Sequence, residues 1–255
     1  MAKQASIDEA ATPRQRLSEN FEMSPRLIRI HQFKISPFCD KIRRVLHVKG
    51  EPYEIVEIPV SGALSVRELN PSGKLPVLEH GGRFVSDSTD IAHYLEEEFP
   101  EPPLVPSDPH ERGLCHVLED WADESLYFYE MTLRFTRPHN AARFTPDLLA
   151  SDPPWAQRLI APAIPWMMRR TTRGQGVGRK SDAELERDVE RHVAALAGLL
   201  GDEEWLVGRA LSLADLSVYA QLSCIALTDE GAKIVAAHPT VAAWLARVDA
   251  ASQPR

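Results

Sequence analysis

The chain has 255 residues, a formal net charge of −8, and 44% hydrophobic against 26% charged residues. That balance suits a globular protein of one large domain or two smaller ones, and it argues against a nucleic-acid binder, which carries a basic face. Three widely spaced cysteines, Cys39, Cys115 and Cys224, form no disulfide framework, and no Cys-x-x-Cys or His-Glu-x-x-His spacing occurs; a reducing cytoplasm and no metal are expected.

Residues 1–26 are polar and mixed in charge, lack the apolar core of a signal peptide, and read as an extension with a short helix over 14–20. Residues 27–33 (LIRIHQF) read as a strand. Phe38, Ile42, Val45 and Leu46 then recur at helical spacing until Gly50. Residues 53–58 (YEIVEI) read as a second strand and 63–69 as a short helix ending at Asn70-Pro71. Residues 75–78 and 83–85 flank Gly81-Gly82, a hairpin signal. Residues 88–99 predict a helix through Ile91, Ala92, Tyr94 and Leu95 that stops at Pro100. The order β-α-β-α-β-β-α predicts parallel early strands, an antiparallel late hairpin and helices for both faces, an α/β unit over residues 27–100.

Residues 101–109 (EPPLVPSDP) carry four prolines in nine and read as a linker. Beyond it, over residues 110–252, only helices are expected. Stretches 110–135 and 155–173 read as helical, the second bent by Pro162 and Pro165. The longest apolar run, residues 159–168, is far short of the roughly 20 residues that span a bilayer. Residues 175–179 (QGVGR) read as a flexible loop. Ser181 with Glu184, and Ser212 with Asp215, are capping boxes. The first leads the stripe Leu185, Val189, Val193, Leu196 and Leu200; the second leads Leu216, Tyr219, Ala220 and Leu222. A final helix over 239–250 carries Val241, Trp244, Leu245 and Val248.

Three short stretches carry chemistry. In Ser36-Pro37-Phe38-Cys39, serine suits an N-cap and proline the first helical turn, so Ser36 reads as a cap. The same geometry also suits an anion, a thiolate included, at the free N–H groups of a helix start. A free thiol, with a pKa of about 8.5, is ionised only to ~3% at pH 7, and lowering the pKa by ~2 units needs roughly 2.7 kcal/mol. A charge-assisted hydrogen bond supplies about 1.5–3 kcal/mol and the helix terminus about 0.3–1 more. A thiol brought by a ligand is thus activated without a protein cysteine. Cys39 reads as packing, with a nucleophilic role as the alternative. Leu75-Pro76 sets a proline inside a strand pattern, either as an edge residue or as a cis bond exposing the backbone of Leu75. Residues 86–89 (SDST) open a helix. They read either as a cap or as a cradle for a carboxylate, with Asp87 pairing a ligand ammonium.

In this order and spacing the pieces resemble the glutathione transferase superfamily. SPFC resembles its catalytic turn, NPSGKLPVL its cis-proline run, SDSTDIAHYLEEEFP its Asp-Ser-x-x-Ile motif, and LSLADLSVYA its helical-domain capping box. The resemblance covers roughly residues 27–250. It implies a thioredoxin-like N-terminal domain followed by an all-helical C-terminal domain, with glutathione as co-substrate, no metal, and a homodimer. It implies that Ser36 is the thiol-activating hydroxyl and that Phe38 is among the glutathione-binding residues. The backbone of Leu75 pairs with the cysteinyl part of glutathione, Pro76 is cis, Asp87 and Ser88 hold the γ-glutamyl group, and Lys74 reaches the glycyl carboxylate. Trp121, Tyr127, Tyr129, Met131, Arg134 and Trp166 are expected to wall a second-substrate site for a hydrophobic electrophile, as in detoxification, with neither nucleic acid nor membrane as partner. Cysteine-type members carry Cys where Ser36 stands, so a thiol reductase using Cys39 and a non-catalytic binding protein remain the alternatives.

Overall fold

The computed structural model describes residues 27–254; the extension and its expected helix over 14–20 lie outside them. Strand β1 (Ile28–Gln32) feeds helix α1 (Pro37–Lys49), then β2 (Tyr53–Glu57), a 3₁₀ turn (Val60–Ser65) and the single-turn α2 (Val66–Leu69). Strands β3 (Val77–His80) and β4 (Arg83–Ser86) form the hairpin at Gly81-Gly82, where φ is 58° and 80°, and α3 (Ser88–Glu98) closes the unit. The sheet order is β2-β1-β3-β4, with β2 parallel to β1 and the other pairs antiparallel. The alternating inward residues Ile28, Ile30 and Leu78 pack with Ile42, Val45 and Leu46 of α1 and with Ile91 and Leu95 of α3, all fully buried.

No strand or helix occupies the stretch between α3 and α4 (Pro109–Trp121). Helix α4 runs through one wide π turn (Ala122–Leu126) into α5 (Tyr127–Thr136), so the expected helix over 110–135 is one rod with an inserted bulge. Sequence reasoning missed α6 (Pro138–Leu148), because Pro146 lies inside it. The stretch 155–173 divides into α7 (Pro154–Ile160), a 3₁₀ turn (Ala161–Ala163) and α8 (Ile164–Gln175). The break falls at Pro162 and Pro165, which supply no N–H to a helical ladder. Residues 177–179, read as a loop, form a 3₁₀ turn with Val177 buried.

Both capping boxes form, opening α9 (Asp182–Leu200) and α10 (Leu213–Ala226). Asp215 also accepts from the backbone N–H of Leu206 and from Trp244 Nε1 at 2.9 Å. Helix α10 is buried over nearly all its length, so it has no polar face and forms the centre of the helical unit. The short α11 (Asp229–Ala236), also unforeseen, is capped by Thr228 and packs so closely that a Cβ on Gly231 would meet the Ile225 carbonyl at 2.0 Å. Helix α12 (Pro239–Ser252) buries Trp244 against the same core. Helix α10 packs on α1, and one hydrophobic cluster runs from Ile28 to Val248 through both units.

Candidate active site

Ser36 is the N-cap of α1: its carbonyl accepts from the Asp40 N–H at 3.0 Å, yet its hydroxyl makes no capping bond. The hydroxyl lies beside the Cys39 thiol, and Ser36 is half-buried. The backbone N–H of Phe38 forms no hydrogen bond among the described residues. A hydroxyl and a free N–H therefore meet at the positive end of a 13-residue helix. Cys39 itself is fully buried, and burial pushes its thiol up to about 11, against the smaller lowering effect of the Ser36 hydroxyl. Cys39 is therefore no source of a thiolate at this turn.

The Leu75-Pro76 peptide is cis. The ladder between β1 and β3 ends at the pair His31–Val77, so Leu75 stands outside it, and its N–H and C=O are unpaired among the described residues. Asn70 holds the loop by donating to the Lys74 carbonyl at 3.0 Å and accepting from Ser72 N–H. The Lys74 side chain is exposed and makes no ion pair among the described residues.

Asp87 caps α3 by accepting from the Thr89 N–H at 2.9 Å, at a φ of 79°. It is the one described non-glycine residue with positive φ, a costly conformation found where the surroundings impose it. Ser88, expected to face a ligand with its hydroxyl, is buried and donates that hydroxyl to Asp123 Oδ2 at 3.2 Å. Its backbone N–H, at the helix start, is unpaired among the described residues.

Sequence reasoning missed the group behind Ser88. Lys41 of α1 is fully buried and donates to Glu119 Oε1 at 2.5 Å, Asp123 Oδ2 at 2.7 Å and Ser88 Oγ at 3.4 Å. Thr89 Oγ1 donates to the same Glu119 oxygen at 2.5 Å. The lysine thus spends all three protons, and two carboxylates face one ammonium. Burial raises the Asp123 carboxyl above its ordinary value despite Lys41, whereas for Glu119 the attraction of Lys41 overcomes burial and the pKa is lowered. Asp123 Oδ1 is buried without a partner among the described residues. Asp123 sits in the π turn, a bulge type frequent at functional sites. A lone Lys in a helix reads as solvated; only its place among Ile42, Val45 and Cys39 hinted at the inner face.

Of the expected wall, three residues gather at the Ser36 turn. The Tyr127 ring meets Phe38 edge-on at 4.7 Å. Met131 belongs to a small apolar cluster with Phe135, Phe144 and Ile164, against which Ile35 and the unforeseen Met168 pack. Arg134 is buried, pairs with Glu130 and donates to the Ile35 carbonyl at 3.3 Å. The other three stand elsewhere. Tyr129, two residues and about 200° of helix from Tyr127, donates to Asp188 and faces His192, as does Trp121. Trp166 is 63% exposed, because α8 packs on α5 through Ile164, Met168 and Thr172 and turns Trp166 outward. Two cavities, of about 370 and 490 Å³, are lined by other residues, the first between α3 and α4 and the second beside β2.

Two family models match: the glutathione S-transferase N-terminal domain over residues 30–103 and the glutathione S-transferase C-terminal domain over residues 159–251. Glutathione S-transferase U7 of Arabidopsis thaliana is 36% identical over 98 residues, 38% of this chain and 43% of that protein. Glutathione S-transferase omega-1 of Sus scrofa is 29% identical over 118 residues, 46% of this chain and 48% of that protein. The matched stretch thus spans less than half the length of either relative. Among solved structures, a beta-etherase from Sphingobium sp. strain SYK-6 is 25% identical with a TM-score of 0.64, over 88% of this chain and 95% of that one. A glutathione S-transferase from Methylobacterium radiotolerans, in complex with glutathione sulfonate, is 27% identical with a TM-score of 0.60, over 88% and 91%. With a thioredoxin-like domain and an all-helical domain in that order, each matched by its own model, the chain belongs to the glutathione transferase superfamily.

Proposed function

We propose that the protein is a serine-type glutathione transferase, and the observation that carries this is the Ser36 hydroxyl, free of its capping bond at the start of α1. Glutathione fits the groups that the fold leaves unpaired. The Leu75 N–H and C=O suit the cysteinyl peptide, and the Ser88 N–H suits the γ-glutamyl carboxylate. The γ-glutamyl ammonium answers the surplus carboxylate charge of Asp87 and of Asp123, whose Oδ1 lacks a partner among the described residues. Seated there, the thiol loses its proton to solvent, and Ser36 and the helix terminus hold the thiolate. The sulfur lone pair then forms a bond to an electrophilic carbon of an apolar substrate lying against Tyr127, Met131 and Met168, and the bond to the leaving group breaks with its electron pair. Burial raises the Tyr127 phenol above its usual value, so it serves as a neutral hydrogen-bond donor and not as a base.

The test couples binding to turnover. Glutathione at about 100 times its Kd stabilises the fold by about 2.7 kcal/mol, which raises Tm by roughly 5–10 °C for a chain of this size. A panel of an aryl halide and, given the beta-etherase likeness, a β-aryl ether reads turnover. A shift without turnover on any electrophile supports a binding protein; no shift at all overturns the reading. A reductase based on Cys39 requires an accessible thiolate, which a fully buried thiol at about 11 does not offer. Intact mass after treatment with oxidised glutathione is expected to show no adduct on Cys39.

A further inference from the structure

We propose that the outer faces of α7 and α8 dock the protein onto the surface of an anionic phospholipid bilayer. The exposed apolar side chains follow one another along this segment: Trp155 at 64%, Leu159 at 72%, then Pro162 and Ala163, then Trp166 at 63% and Met167 at 45%. Trp155 and Leu159 share one face of α7 by their spacing of four. On α8, Arg169, Arg170 and Arg173 lie three, four and seven residues after Trp166 and share its face. The opposite stripe, Ile164, Met168 and Thr172, is turned inward.

Charge names the occupant. The chain carries −8 overall, yet residues 154–180 hold five arginines and one lysine with no Asp or Glu. Among the described residues, only Lys180 of the six pairs with a carboxylate, that of Asp188. Arg169 and Arg179 donate to backbone carbonyls, and the Arg170 guanidinium stands 6.0 Å from the Trp166 ring. A lipid headgroup layer accepts this combination. Tryptophan favours the membrane–water boundary, and arginine reaches from an apolar stem toward phosphate. Span length alone had excluded a membrane, and among the described residues no helix is long and apolar enough to cross one. A face lying in the interface needs no such length. An acidic partner protein would match the arginines as well, but the protruding Trp155 and Trp166 suit a yielding lipid layer better than a rigid surface.

Co-sedimentation of the full chain with vesicles tests this. The protein is expected to pellet with phosphatidylcholine vesicles containing 30% phosphatidylglycerol, to stay in solution with phosphatidylcholine alone, and to be released by 0.5 M NaCl. A cation near such a surface is worth about fivefold in partitioning, so R169Q/R170Q/R173Q is expected to lower binding on the order of 100-fold. W155S/W166S is expected to abolish the quenching of tryptophan emission by brominated lipid. All five substituted side chains are exposed, so unchanged circular dichroism and an unchanged response to glutathione report an intact fold. The proposal is overturned if the anionic vesicles bind nothing, or bind both variants as well as the parent. It is also overturned if light scattering shows that Trp166→Glu splits a dimer while vesicles bind nothing, which would assign the face to a second copy.

Discussion

The Ser36 hydroxyl makes no capping bond to its own helix, and in the proposed function it donates to the sulfur of bound glutathione. A charge-assisted hydrogen bond of about 1.5–3 kcal/mol then favours the thiolate over the thiol. Ser36→Ala is expected to lower kcat at neutral pH by roughly 10- to 100-fold. The loss should shrink as the pH rises past about 8.5, where an ordinary thiol ionises unaided. A pH–rate profile in which parent and variant differ by the same factor at every pH would assign Ser36 a positional role only. Ser36, Pro76 and Asp87 were visible in the sequence because Ser-Pro, an in-strand proline and a polar cluster are local signals. Lys41, Glu119 and Asp123 were not, since their meaning lies in contacts between residues 78 and 82 positions apart.

Between elements, long-range ion pairs do what local periodicity cannot. Arg137, just before α6, donates to Glu186 of α9 at 2.9 Å and to Glu230 of α11 at 2.5 Å, while Asn140 donates to the other Glu230 oxygen at 2.8 Å. Burial pushes the Glu230 carboxyl up, but the Arg137 and Asn140 hydrogen bonds pull it further down, to about 2. A folded pKa below the unfolded value of about 4.3 means stability that is full above the unfolded pKa and lost as the pH falls toward the folded one. Tm should therefore decline between about pH 4.5 and pH 2, and Glu230→Gln should flatten that part of the curve. At pH 7 the same substitution should cost roughly 5 °C. An acid limb unchanged in the variant would show that other carboxylates carry it. Of the three helices joined by this clasp, α6 and α11 were not readable: α6 contains Pro146, and α11 has only eight residues. Helices with a continuous apolar stripe, α9 and α12, were readable for the opposite reason.

For the molecule as a whole, α1 belongs to the sheet by sequence and to the helices by packing. Its Lys41 is clasped by Glu119 and Asp123, and its Arg44 lies 4.1 Å over the Tyr219 ring while donating to Ser252 Oγ at 3.0 Å and Asp249 at 2.9 Å. The hydrophobic cluster crosses the same boundary without a gap. Unfolding either unit alone would expose α10 or the outer face of α1 to water and strip Lys41 or its carboxylates of their partners. Two independent transitions are therefore disfavoured, and calorimetry is expected to show one, with equal calorimetric and van't Hoff enthalpies. Removing one partner from a buried ion cluster costs about 3–5 kcal/mol, so Lys41→Met should lower that single midpoint by roughly 10 °C. If the variant instead split the endotherm, with one component left at the parent temperature, the two units would be thermodynamically separate. The boundary between them, where the Tyr127 ring meets Phe38 edge-on at 4.7 Å, would then not depend on the Lys41 cluster.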